Sequence, residues 1–110
     1  MESLMHLTFP KSTRVVFWDA GRGIDAYLKL KFELDKEDLT PFLVASPFRL
    51  HPLRVEAHAD LGSDNGAWDP GRARHLSSET VELPSGKVLN LGIDDSGGAK
   101  VVAYIFYFGT

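Results

Sequence analysis

The stretch that decides the fold is Ile24–Leu34, IDAYLKLKFEL. Ile24, Ala26, Leu28, Leu30, Phe32 and Leu34 fall on one side of a two-residue period. Asp25, Tyr27, Lys29, Lys31 and Glu33 fall on the other. Unbroken alternation of this kind describes a strand with one face in a core and one face in water. A helix would scatter the same apolar positions around its circumference. The rest of the chain must therefore supply a cover for the apolar side.

Immediately upstream, Thr13–Asp19 (TRVVFWD) is rich in β-branched and aromatic residues and reads as a second strand, with Val15 and Phe17 on one face and Val16 and Trp18 on the other. Gly21 and Gly23 between the two suit a turn, so residues 13–34 are expected to form a β-hairpin. Leu4–Phe9, limited by Pro10, reads as an edge strand or a lead-in packed on the sheet. Downstream, Asp35 has the character of a helix N-cap, with Glu37 and Asp38 in the first turn. Pro41 allows two arrangements: one kinked helix over 36–46, or a single turn at 36–39 followed by a short helix from 41, with Thr40-Pro41 as a second cap. In either, Leu39, Phe42 and Leu43 make an apolar stripe suited to cover Leu28, Leu30 and Phe32.

The C-terminal third is as readable. Glu79–Leu83 and Lys87–Ile93 flank a Pro-Ser-Gly turn and read as a second hairpin, with Val81 and Leu83 facing inward beside Leu89, Leu91 and Ile93. A turn at Asp94–Gly98 leads into Lys100–Phe108, KVVAYIFYF, which has no polar face. Such a strand belongs in the middle of a sheet with material on both sides. The expected fold is α+β: a single domain over residues 1–110 holding one antiparallel sheet of about five strands, with a short helix on one face, in the order β-β-α-β-β-β. Between the helix and the second hairpin, His51–Leu61 alternates in the manner of a strand, and residues 62–74 form a long Gly/Asp/Asn/Pro-bearing loop. Something must also cover the second face of the last strand. The candidates are the 47–75 segment with Trp68, the Leu4–Phe9 segment, or another protein molecule.

With 110 residues and 44% hydrophobic content, the chain fits one globular domain. The absence of cysteine excludes disulfides and thiolate metal sites. The net charge is −3, and basic residues are dispersed except for Arg72 and Arg74 beside His75, which argues against nucleic acid as a partner. No run approaches the roughly 20 apolar residues of a membrane helix. MESLMHLTFPKS has an early acid and no cationic segment leading into an apolar one, unlike a signal peptide, so with Met1 as the natural start the expected setting is the cytoplasm.

Catalytic patterns are not met. Ser77 and Ser78 sit near His75 without a nucleophile elbow, and Gly21-x-Gly23 precedes a strand where phosphate cradling needs a helix. The spacing of Asp60, Asp64, Asn65 and Asp69 departs from a calcium loop. His58-x-Asp60 places two ligand types on one strand face and, with His51 and His75, outlines a metal or small-ligand site; surface histidines beside surface acids account for the same spacing. No cofactor is implied. Trp68, set in a polar loop with Asp69, Arg72 and Arg74, is the strongest candidate for a partner-binding patch, because tryptophan and arginine dominate interface hot spots. The competing role is a lid tucked onto the sheet, and Trp18 carries the same pair of roles on the first hairpin.

The chain resembles small uncharacterised bacterial α+β proteins, some of them lipoprotein-like. The resemblance runs through Phe9-Pro10-Lys11-Ser12, a strand carrying Asp25, Leu30, Lys31 and Phe32, a helix ending in Phe42-Leu43, the Trp68-Asp69-Pro70 loop and the terminal aromatic strand. It implies the fold and no particular activity. The function expected on these grounds is a non-enzymatic protein-interaction domain of the inhibitor or immunity-protein kind, whose partner is another protein. The alternative is metal or small-ligand binding through His51, His58, Asp60 and His75. Formation of a homodimer through the aromatic C-terminal strand is a further route to association.

Overall fold

A computed structural model describes residues 9–21, 27–45, 66, 68–69, 76–82, 86–95 and 98–109. Five strands, β1 (Arg14–Gly21), β2 (Tyr27–Asp35), β3 (Leu76–Glu82), β4 (Lys87–Asp94) and β5 (Lys100–Gly109), form one sheet in the order β1-β2-β5-β4-β3. Every neighbouring pair is antiparallel. A 3-10 turn, Lys36–Asp38, leads directly into α1 (Leu39–Val44). The α+β architecture and both hairpins are those expected from the sequence. The strand expected over His51–Leu61 lies outside the described residues, as do Ile24–Ala26 and Leu83.

The helical segment takes the form of a turn followed by a short helix, starting at Leu39 rather than Pro41. Pro41 then sits in the first turn of α1, where backbone N–H groups have no intrahelical acceptor, so its missing donor costs nothing. Asp35 stands at the N-cap position of the 3-10 turn, but its carboxylate caps nothing. It accepts a 2.6 Å bond from Lys100 Nζ across the β2–β5 ladder. The segment ahead of β1 is tied to the turn by Ser12, whose Oγ accepts from the Asp35 amide at 3.1 Å and donates to Asp38 at 2.6 Å.

The alternation of β2 is realised as read. Leu30, Phe32 and Leu34 are buried together with Val101, Ala103 and Ile105 of β5, Leu89, Leu91 and Ile93 of β4, and Val81 of β3. Phe42 of α1 closes this face, stacked at 6.0 Å on Phe9 and edge-on to Phe32 at 5.7 Å. Phe9, the one described residue of the lead-in expected over Leu4–Phe9, thus packs on the first face. Gly86 and Gly98 adopt φ values of +84° and +78°, the left-handed conformation that their two turns require.

β5 lies between β2 and β4, as its two apolar faces demand. Both of its edges are therefore paired within the sheet. The free edges among the described strands belong to β1 and β3.

One expectation about β1 is corrected. The register shifts between Val15, which pairs with Phe32, and Phe17, which pairs with Lys31. This bulge separates Val15 and Phe17 onto opposite faces and sends Trp18 to the side of Leu30.

Candidate partner-binding surface

The second face of the sheet is built from the polar side of β2 and the aromatic side of β5. The ladder aligns Lys29 with Phe106, Lys31 with Tyr104 and Tyr27 with Phe108. Trp68 lies on this face, fully buried, with its ring 5.4 Å from Tyr104 in an edge-to-face arrangement and 6.4 Å from Phe17. Phe17, Val102 and Phe106 pack around the pair. Trp68 is therefore the lid of the two roles its loop position allowed, and its ring is not on the surface.

Asp69 fixes the lid in place. One carboxylate oxygen accepts from Lys31 Nζ at 2.7 Å and from the Tyr104 hydroxyl at 2.8 Å. The hydrogen bond from Lys31 is the main cause holding the Asp69 pKa below its ordinary value, helped by Tyr104 and opposed by partial burial. Lys31 was expected to be a solvated residue on a wet face. Its side chain is instead largely covered, with 15% exposure, because a loop 38 residues away in sequence brings a counter-charge over it. Lys29, its neighbour on the same face, holds its ammonium 5.2–5.9 Å from the rings of Phe106, Trp68 and Tyr27. Tyr27 in turn donates its hydroxyl to Asp19 at 2.8 Å, which raises the Tyr27 pKa. Deeper along β4, the buried Asn90 accepts from Thr80 Oγ1 at 2.6 Å and donates to the Phe106 carbonyl at 3.2 Å.

The remaining residues of the expected patch, Arg72 and Arg74, lie outside the described residues. So do His51, His58, Asp60 and His75 of the alternative metal site. Among the described residues no group of three or more histidines and carboxylates is arranged to hold a metal ion, and no helix is long and apolar enough to cross a membrane.

Among the described residues, exposed apolar side chains concentrate on β1. Trp18 is 61% exposed, Val15 53% and Val16 43%, and the fourth exposed large apolar residue among those described is Val44 on α1. The two edges of the sheet are chemically unlike. β3 carries Thr80 and Glu82 exposed and Ser77 and Glu79 half-buried, the polar surface expected of a solvated edge, while its Ser78 is buried. Between Val15 and Asp19, β1 has neither lysine nor proline, and of the devices that commonly blunt an edge strand it carries the bulge between Val15 and Phe17. The tryptophan available for contact is thus Trp18. Its position on a Gly-flanked hairpin was visible in the sequence, but its exposure was not, because that depends on β1 being an edge.

No known protein family, curated protein or solved structure matches this chain.

Proposed function

We propose that this protein is a non-enzymatic protein-interaction domain that engages its partner through the edge strand β1. The observation that carries this reading is Trp18 at 61% exposure on a strand whose outer edge is unpaired among the described residues. An edge strand offers a row of backbone donors and acceptors to an added strand, and exposed side chains on it supply the anchors. A large exposed aromatic flanked by Val15 and Val16 is the composition of an interface centre rather than of solvated surface. The finer form of the reading, an inhibitor or immunity-type protein that blocks its partner, is supported by analogy with other small acidic single domains.

Replacing Trp18 by the photocross-linker benzoylphenylalanine in cells tests this directly, with Glu37 on the 3-10 turn as the exposed control position. A discrete adduct from position 18 and none from position 37 is expected. No adduct from position 18, or the same pattern from both, overturns the proposal.

A further inference from the structure

We infer that the occupant of the β1 edge is a second copy of this chain, added antiparallel through β1 so that two five-stranded sheets run into one. This rests on β1 being the interaction edge.

The bulge supplies the main support. In an uninterrupted strand, Val15 and Trp18 would lie on opposite faces, and so would Arg14 and Asp19. The register shift cancels that opposition. Val15, opposite Phe32, and Trp18, opposite Leu30, share the helix-covered face. Arg14, opposite Glu33, and Asp19, opposite Lys29, share the other. An antiparallel dimer has its two-fold axis perpendicular to the sheet, so each face continues across the junction and only same-face residues become cross-strand neighbours.

With the axis between Val16 and Phe17, Val15 lies opposite the second copy's Trp18, and Arg14 lies opposite the second copy's Asp19. Each contact is made twice. Apolar then meets apolar on one face, and cation meets anion at both ends of the junction on the other, the pairings that stabilise antiparallel neighbours. Slipping the register by one residue in either direction sets residues of opposite faces against each other and loses both matches. The polar β3 edge, with Glu79 and Glu82, offers no comparable self-complementarity.

Light scattering on purified wild-type protein over a concentration series is the first test. The mass is expected to rise from the 12.2 kDa protomer to twice that value. Asp19→Arg places two cations opposite one another at each end of the junction, and Arg14→Asp places two anions there; each is expected to return the mass to that of the protomer. The combined Arg14→Asp, Asp19→Arg exchange restores the attraction and is expected to restore the dimer. A wild-type protein that stays monomeric throughout overturns the inference. A dimer indifferent to both single reversals does so as well.

Circular dichroism establishes that each variant is folded. Should a variant fail to fold, hydrogen exchange on the wild type decides the matter, since protection that increases with concentration must appear within residues 14–21. Its absence there overturns the inference. The cross-linker at position 18 separates this inference from the broader proposal. An adduct of two copies of this chain supports both. An adduct with a different protein alone refutes self-pairing and leaves the interaction edge standing, and no adduct refutes both.

Discussion

Lys31 of β2 and Asp69 of the loop beyond α1 are joined by a 2.7 Å ion pair on the face of the sheet opposite the helix. The same carboxylate oxygen takes the Tyr104 hydroxyl, so one aspartate holds a loop to both β2 and β5. Replacing Asp69 by alanine removes the carboxylate that a mostly covered ammonium and a phenol share. Charge-assisted bonds of this kind contribute about 1.5–3 kcal/mol each when well shielded, and partial exposure of the pair places the expected loss near the lower end, about 1–2 kcal/mol. Urea denaturation of Asp69→Ala against wild type measures it.

The same carboxylate makes stability depend on acid. Its folded pKa is depressed below the ordinary value of 3.8, first by the hydrogen bond from Lys31. A depressed carboxylate stabilises the fold in full above its unfolded pKa, and that contribution drains away as pH falls towards the folded pKa. Melting temperature should therefore fall on acidification through pH 3.8 and below more steeply for wild type than for Asp69→Asn. Parallel curves for the two proteins would remove Asp69 from the acid response.

Asn90 is a buried polar residue at 1% exposure whose bonds to Thr80 and the Phe106 carbonyl fix a point between β3 and β5. Asn90→Ala should destabilise by about 1–3 kcal/mol, since it removes bonded groups from a site that water enters poorly. Thr80→Val should cost less on top of Asn90→Ala than it does alone, because both act on one bond. A double-mutant cycle read by chemical denaturation provides the check.

The two tryptophans should differ sharply in what they contribute to folding. Trp68 is fully buried against Tyr104, and truncation of a buried aromatic to alanine costs about 3–5 kcal/mol. Trp18 is 61% exposed, and substitutions at such surface positions usually stay within about 0.5 kcal/mol. Denaturation of Trp68→Ala and Trp18→Ala monomers measures the contrast.

Most of the sheet was legible because it is written in local patterns. The period of β2, the glycine turns ahead of β4 and β5, and the two-sided apolarity of β5 each constrain a short segment, and together they fix strand order around a central β5. What was illegible depends on non-local geometry. The Val15–Phe17 bulge has no glycine or proline to announce it, so the faces of β1 were misassigned. Lys31 read as solvated because alternation reports which side a residue faces and not what later covers that side. Trp68 posed a choice between lid and contact that only the depth of its packing resolves. Tyr104 gave no sign of its hydrogen bond, since in KVVAYIFYF it is one aromatic among several.

The exposed tryptophan being Trp18, with Trp68 buried against Tyr104, is what assigns β1 as the contact surface, and fluorescence of single-tryptophan proteins tests it most directly. The chain has two tryptophans, so Trp68→Phe reports Trp18 alone and Trp18→Phe reports Trp68 alone. Measured at concentrations where the chain is monomeric, Trp18 should emit at long wavelength and be quenched readily by acrylamide, while Trp68 should emit at shorter wavelength and resist quenching. The reverse assignment, or equal quenching of the two, would contradict the placement of both residues and with it the choice of β1.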